Sequence, residues 1–269
     1  MEATHRYMNY LISEKPIYTD EGKKIEVFHL DIQDDPEIFE EWAKQFRRNY
    51  CSDDELQEMT NEINISSNEY LKNYKLPSDS GIGLSTMSGD FGEILVSDYL
   101  QYIEDYAVPR TRYDSKVNKD TSTQGSDVLG YKKGDMTPQN DEIIVIEVKT
   151  SASTGSLLTN KQRLQVAIDH SDKDFERFST SVVASYLKLI KDNSDQAHIV
   201  KRFLNTTDHP FNVIYGAVAV HSNQSYDIEF IKNAVTQNHR AQENLRLLVI
   251  HSNELLNFIK RLYLKASEV

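Results

Sequence analysis

The stretch that most constrains this chain is residues 141–151, DEIIVIEVKTS. Its four consecutive branched apolar residues, 143–146, would fill both faces of a β-strand, and continuous runs of this kind belong to strands covered on two sides. Side chains alternate along a strand, so Glu147 and Lys149 share one face while Val148 takes the other. The run therefore predicts a central strand in a sheet flanked by helices, with a carboxylate and an ammonium on one face of it. Two readings of those charges stand. They sit at a solvated strand end and pair weakly, for roughly 0 to 1 kcal/mol, or they are desolvated and something holds them, since burying an ion costs several kcal/mol.

The rest of the chain supports an α/β class. Residues 24–32, KIEVFHLDI, read as a strand. Residues 34–50 read as a helix with Pro36 in its first turn, and residues 52–74 as a second helix. The Gly-, Ser- and Pro-rich stretch 75–90, KLPSDSGIGLSTMSGD, reads as a boundary loop. It divides an acidic N-terminal lobe, residues 1–80, from residues 81–269. The lobe holds 18 acids against 9 bases, the remainder 24 against 21. Beyond the loop, residues 91–106 carry the apolar stripe of an amphipathic helix through Phe91, Leu95 and Tyr99. Residues 107–116, 126–133 and 142–151 read as strands, with turn residues in 133–141. A long helix spans 159–192, two further strands 211–220 and 244–252, and a closing helix 253–266 is capped by Ser252 or Asn253. The order predicts a mixed central sheet flanked by helices.

Some functions are excluded early. The chain of 269 residues carries 42 acids and 30 bases, so bulk positive charge does not recruit a polyanion and any such partner meets a local patch. Cys51 is alone, which removes disulfides and cysteine-based metal sites. The eight histidines show no ligand spacing, and the glycines of 80–89 do not match a phosphate loop. No apolar run reaches the length of a membrane span and the N-terminus lacks signal-peptide character, so a cytoplasmic, membrane-free location is expected.

The charged strand gains meaning from Asp127, in STQGSDVLGY, 20 residues before Glu147. If the two segments pair, the carboxylates converge and repel unless a cation lies between them. A hard divalent ion suits such a pair; Mg2+ is commonly held by one or two carboxylates with waters and phosphate oxygens. Lys149 would then face a metal-bound water or a phosphate. The alternative for Asp127 is an Asx turn after Gly125. Glu93 likewise has two readings. It closes a capping box with Asp90 at a helix start, or it faces the same site.

Gly125, Ser126 and Asp127 followed by Glu147, Val148 and Lys149 resemble the signature of the PD-(D/E)XK nuclease superfamily, with Ser126 where that name has proline. The superfamily's preceding helix often adds an acid, here Glu93. A longer likeness joins GDFGEILVSDYLQ, RTRYDSKVNKDTSTQGSDVLGYK, EIIVIEVKTSAS and LQVAIDHSDKDFERFS, in that order. Over about residues 85–220 this is similar to the HamA family, the nuclease subunits of the Hachiman anti-phage defence system. The resemblance implies a restriction-endonuclease-like core and a Mg2+-dependent DNA endonuclease, with Mn2+ as substitute. It also implies a superfamily-two helicase partner of the HamB kind that restrains the nuclease until aberrant DNA is sensed. By the same resemblance Asp127, Glu147 and the Val148 carbonyl bind metal, Lys149 orients or deprotonates the nucleophile, and Glu93 binds a second ion or positions water.

Charge suggests where DNA would lie. Arg110, Arg112, Lys116 and Lys119 lead into the Asp127 segment, and Lys161 and Gln162 open the helix after the charged strand. The competing reading is a solvated edge strand with protective cations. A competing function also stands: a nuclease-like fold that serves as a weakly catalytic regulatory or docking subunit of a helicase, its acidic lobe covered by the partner.

Overall fold

The computed structural model describes residues 5–114, 116–134, 140–152 and 158–269. Its strands are β1 (Leu11–Ser13), β2 (Ile17–Tyr18), β3 (Lys24–Leu30), β4 (Val128–Lys132), β5 (Glu142–Ser151), β6 (Asn212–Ser222) and β7 (Leu245–Ser252). Its α-helices are α1 (Pro36–Arg48), α2 (Asp53–Ile63), α3 (Ser67–Tyr70), α4 (Gly81–Tyr102), α5 (Leu158–Lys161), α6 (Arg163–Lys191), α7 (Ala197–Lys201), α8 (Ile228–Lys232) and α9 (Leu255–Ala266). All seven strands form one mixed sheet in the order β1-β3-β7-β6-β5-β4, with β2 also on β3. The middle is parallel, β3 to β7 to β6 to β5, and antiparallel strands close both sides, β4 on β5 and β1 and β2 on β3.

The central place of β5 follows from its residues. Ile144, Ile146 and Val148 enter the core under α1, α4 and α9, whereas Ile143 and Val145 enter the core under α6. An apolar run without alternation is what a strand between two cores requires. By the same parity Glu147 and Lys149 face the α6 side. Helix α4 packs closely on this strand: a Cβ on Gly92 would stand 2.1 Å from Thr150 Oγ1, so only glycine allows that approach.

Several expectations hold. Pro36 opens α1 behind the Asp35 cap, whose side chain accepts from the Glu37 and Ile38 N–H groups. Strands β3, β4, β5, β6 and β7 lie where the patterning put them. Others need correction. The stretch 81–90 is helix, not loop, and forms the first turns of α4. Asp90 and Glu93 therefore lie well inside a helix and cap nothing. Residues 107–116 are not a strand; Ala107 alone bridges to Tyr131. The cap of α9 is neither Ser252 nor Asn253 but Glu254, at φ 49°, while Ser252 donates to the Leu30 carbonyl at 2.7 Å. Most of the turn expected in 133–141 lies outside the described residues.

Segment 1–80 is built into this sheet. Strand β3 pairs in parallel with β7 over five residues, and Trp42, Phe46 and Tyr50 share a core with Phe91 of α4 and Phe258 and Tyr263 of α9. Among the described residues no helix is long and apolar enough to cross a membrane.

Candidate active site

The site forms where β4 ends. Val128 pairs with Ile146, so Asp127 arrives opposite Glu147 one step beyond the ladder. There the edge of β5 is free of a strand partner, and Asp127 takes it over: its Oδ2 accepts from the Val148 N–H at 3.0 Å. The Val148 carbonyl, on the same edge, accepts from Lys149 Nζ at 3.2 Å. Glu147 is 3% exposed and forms an ion pair with Lys149, whose ammonium also lies 3.8 Å from Asp127 Oδ2. Glu93 reaches the cluster from α4. Tyr113 Oη donates to its Oε2 at 2.6 Å, and Arg112 bridges Glu93 at 3.2 Å and Asp127 at 3.4 Å. Glu93, Asp127, Glu147 and Lys149, named from the sequence on separate segments, thus meet in space.

Their electrostatics differ from those of an ordinary ion-pair network. Burial pushes the Glu147 carboxyl above its usual range, and the Asp127 charge pushes it further. Glu93 is raised for the same two reasons in the same order. Asp127 repels both Glu93 and Glu147, while Arg112, Lys149 and Arg177 serve as counter-charges.

This donor set fits a hard divalent cation. Among the described residues no three Asp, Glu, His or Cys side chains stand close enough to encage a metal by themselves. Two carboxylates with a main-chain carbonyl freed from the sheet, completed by water, is the kind of incomplete all-oxygen set that Mg2+ accepts. A cation there would relieve the repulsion that raises Glu93 and Glu147.

The cations predicted to meet DNA are engaged within the protein. Arg110 pairs with Asp98 at 2.7 Å. Lys116 pairs with Asp90, each side chain 4% exposed, beneath the rings of Tyr50 and Tyr113. Lys119 donates to the carbonyls of Lys72 at 2.9 Å and Leu76 at 3.2 Å, and Lys161 pairs with Asp227 at 2.8 Å. Gln162 is exposed and precedes α6. Arg112 alone of this group touches the carboxylates.

Three residues of α6 went unread in the sequence. Arg177 donates to Glu147 Oε2 at 3.0 Å and to Asp174 Oδ1 at 2.7 Å, and His170 Nδ1 lies 3.3 Å from Glu147 Oε1. Asp174, fully buried, also accepts from Ser126 Oγ at 2.9 Å. The available signal was the helical spacing of His170, Asp174 and Arg177 in HSDKDFER, which sets all three on one flank.

No curated protein matches the chain. The family model described as HamA matches residues 6–266 of the 269, and the chain accordingly belongs to the HamA family, whose members are components of Hachiman anti-phage defence.

Proposed function

We propose that the chain is a Mg2+-dependent DNA endonuclease, the effector of its defence system, held in check by a helicase subunit and acting in the cytoplasm. The observation that carries this reading is the convergence of Glu93, Asp127 and Glu147, from α4, the approach to β4 and β5, beside Lys149 at the free edge of β5. Asp127, Glu147 and the Val148 carbonyl would hold the ion, which, when bound, supplies a water of lowered pKa and charge neutralisation at a phosphate. Lys149, held between Glu147 and Asp127, orients that water or takes its proton. Glu93, fixed by Tyr113 and Arg112, positions a water or a second ion. Burial of Glu147 within β5, directly after its rigid apolar run, keeps these groups in register.

The test is cleavage of plasmid and linear DNA by the full chain with Mg2+, with Mn2+ and with EDTA. Glu147→Ala and Lys149→Ala are expected to abolish cutting and phage protection while keeping the native melting transition. Full cleavage by both variants overturns the assignment.

A second reading has its own support. Each carboxylate of the site is matched by a protein cation, and most of the cations expected on DNA are tied inward. A site closed in this way suits a regulatory subunit docked on a helicase. Cleavage assayed with and without that partner separates the two: activity in neither condition favours the docking role.

A further inference from the structure

With the cations of residues 110–119 turned inward, the surface that meets the substrate must be sought elsewhere, and α6 offers one. The first half of this helix segregates its charge. Asp172 and Glu176 lie on one flank and both pair with Arg240. His170, Lys173 and Arg177 follow one another at helical spacing on the flank beside Glu147 and Lys149. Lys173 is exposed and, among the described residues, makes no ion pair or hydrogen bond. Arg177 is 40% exposed yet fixed, because Asp174 beneath it is anchored in turn by Ser126.

The same flank continues toward the C-terminal end of α6. Thr180, Ser181, Ser185 and Lys188 line one wall of a cavity of about 690 Å³, whose other wall is the segment 108–128 with Arg112 and Asp127. From His170 to Lys188 the flank runs about 27 Å at 1.5 Å per residue. Cations come first, hydroxyl groups follow, and the carboxylate cluster lies beside both. In a chain with a formal net charge of −12, such a strip is where a polyanion gains most from local field.

We propose that this flank of α6 is the track on which the DNA backbone lies, with Lys173 and Arg177 each neutralising a phosphate and the hydroxyl-lined cavity receiving the strand beyond the carboxylates. The inference rests on the nuclease reading and adds the path of the substrate to it. Arg177, bonded to Glu147, is the contact nearest the site; Lys173 lies one turn before it. Phosphate contacts of this type fix register and orientation without reading sequence, so the track predicts binding that tolerates sequence.

The experiment measures fluorescence anisotropy of labelled single-stranded and duplex DNA with the full chain in EDTA, from 50 to 200 mM salt. Each phosphate contact contributes about 0.9 to the slope of log affinity against log salt on duplex DNA. Lys173→Gln and Arg177→Gln are each expected to reduce that slope by about 1, and the pair by about 2. Over this fourfold range the loss of affinity becomes about 3.5-fold shallower per contact. Lys44→Gln, an exposed position on α1, leaves the slope as it was, and Arg177→Lys restores it. If Arg177→Gln does not fold, Lys173→Gln, which breaks no internal contact, decides alone. Glu147-dependent cleavage measured on the same preparations separates the two claims. Slopes unchanged in both variants with such cleavage intact, or no binding by the unsubstituted chain, overturn the track only, whereas absence of Mg2+-dependent cleavage by the unsubstituted chain overturns the nuclease reading.

Discussion

Helix α4 carries three carboxylates largely withdrawn from solvent, and they divide into two kinds of surroundings. Asp98 has Arg110 at 2.7 Å and the Tyr7 hydroxyl at 3.2 Å; Asp90 has Lys116 and the Tyr50 hydroxyl, which in turn bonds Tyr263. Each is one acid met by one cation and one phenol. Glu93, on the same helix between them, shares Arg112 with Asp127 and is raised by its burial and by the Asp127 charge. A matched buried pair holds elements together: Asp98 ties α4 to Tyr7 near the N-terminus and to the segment after α4. An acid-rich cluster stores repulsion that a bound cation can release. The difference shows that burial of charge alone does not mark a site; acids that share counter-charges and crowd one another do.

The comparison is broken most directly by chemistry. Asp127→Asn, which keeps the shape and removes one charge, is expected to lower Mg2+-dependent cleavage at least about 100-fold, a loss of roughly 3 kcal/mol of transition-state stabilisation. Asp98→Asn leaves the cleavage rate per folded molecule near that of the parent chain. Rates measured at equal folded concentration check both, and a cleavage-competent Asp127→Asn would erase the distinction between the clusters.

Stability should divide the opposite way. Removing one partner of a matched buried pair leaves the other uncompensated, at about 3 to 5 kcal/mol, so Asp98→Ala should lower the unfolding free energy by about that amount. Glu93→Gln should cost less than about 1 kcal/mol, because Arg112 keeps Asp127 and one source of like-charge repulsion is gone. Denaturant unfolding in EDTA measures both. Equal losses would mean that the two clusters are one kind of structure.

A buried group with no counter-charge sharpens the same contrast. His221 is fully buried; its Nδ1 meets Ser225 Oγ at 3.2 Å and its Nε2 has no protein partner among the described residues. Burial, then the nearby Arg163 and His251, pushes it down to about 4. Its folded value lies below the ordinary 6.5, so the unfolded chain binds the proton first. Stability is intact above about pH 6.5 and is lost as pH falls toward 4, by up to about 3 kcal/mol for a shift of this size. Unfolding free energies at pH 7 and pH 4.5 should therefore converge in His221→Gln more than in the parent chain.

Much of this arrangement was legible, and the failures have physical causes. Strand β5 announced itself because an apolar run without alternation fits only a doubly covered strand, and Glu147 and Lys149 could be assigned one face by parity. Asp127 and Glu93 are legible only through the spacing of a known motif, since nothing local ties an acid on a helix to a strand 54 residues later. The glycines and serines of 81–90 suggested a loop, yet they are helix: a Cβ on Gly83 would lie 2.3 Å from the Ser78 carbonyl oxygen, so close packing selects a residue that helix propensity disfavours. The segment 107–116 read as a strand, yet among its described residues only Ala107 meets one, because Arg110 and Lys116 are drawn onto buried acids of α4. The role of α6 was hidden for a similar reason. Its polar flank has meaning only against β5, which the helix reaches through tertiary packing.

The smallest effect belongs to a cation that looked like a DNA contact and is not free to be one. Lys119 Nζ donates to the carbonyls of Lys72 and Leu76 and also to Ser78 Oγ at 2.9 Å. These oxygens stand at and just beyond the C-terminal end of a helical turn, where carbonyls lack intrahelical partners and a positive charge is favoured. Lys119→Gln should therefore cost about 1 kcal/mol of stability and leave the salt dependence of DNA binding unchanged. Lys173→Gln should do the reverse, changing the salt slope with stability intact. Measured side by side, the two lysines separate a cation that closes the fold from one that faces the substrate, and a change of slope at Lys119 would return the DNA path to residues 110–119.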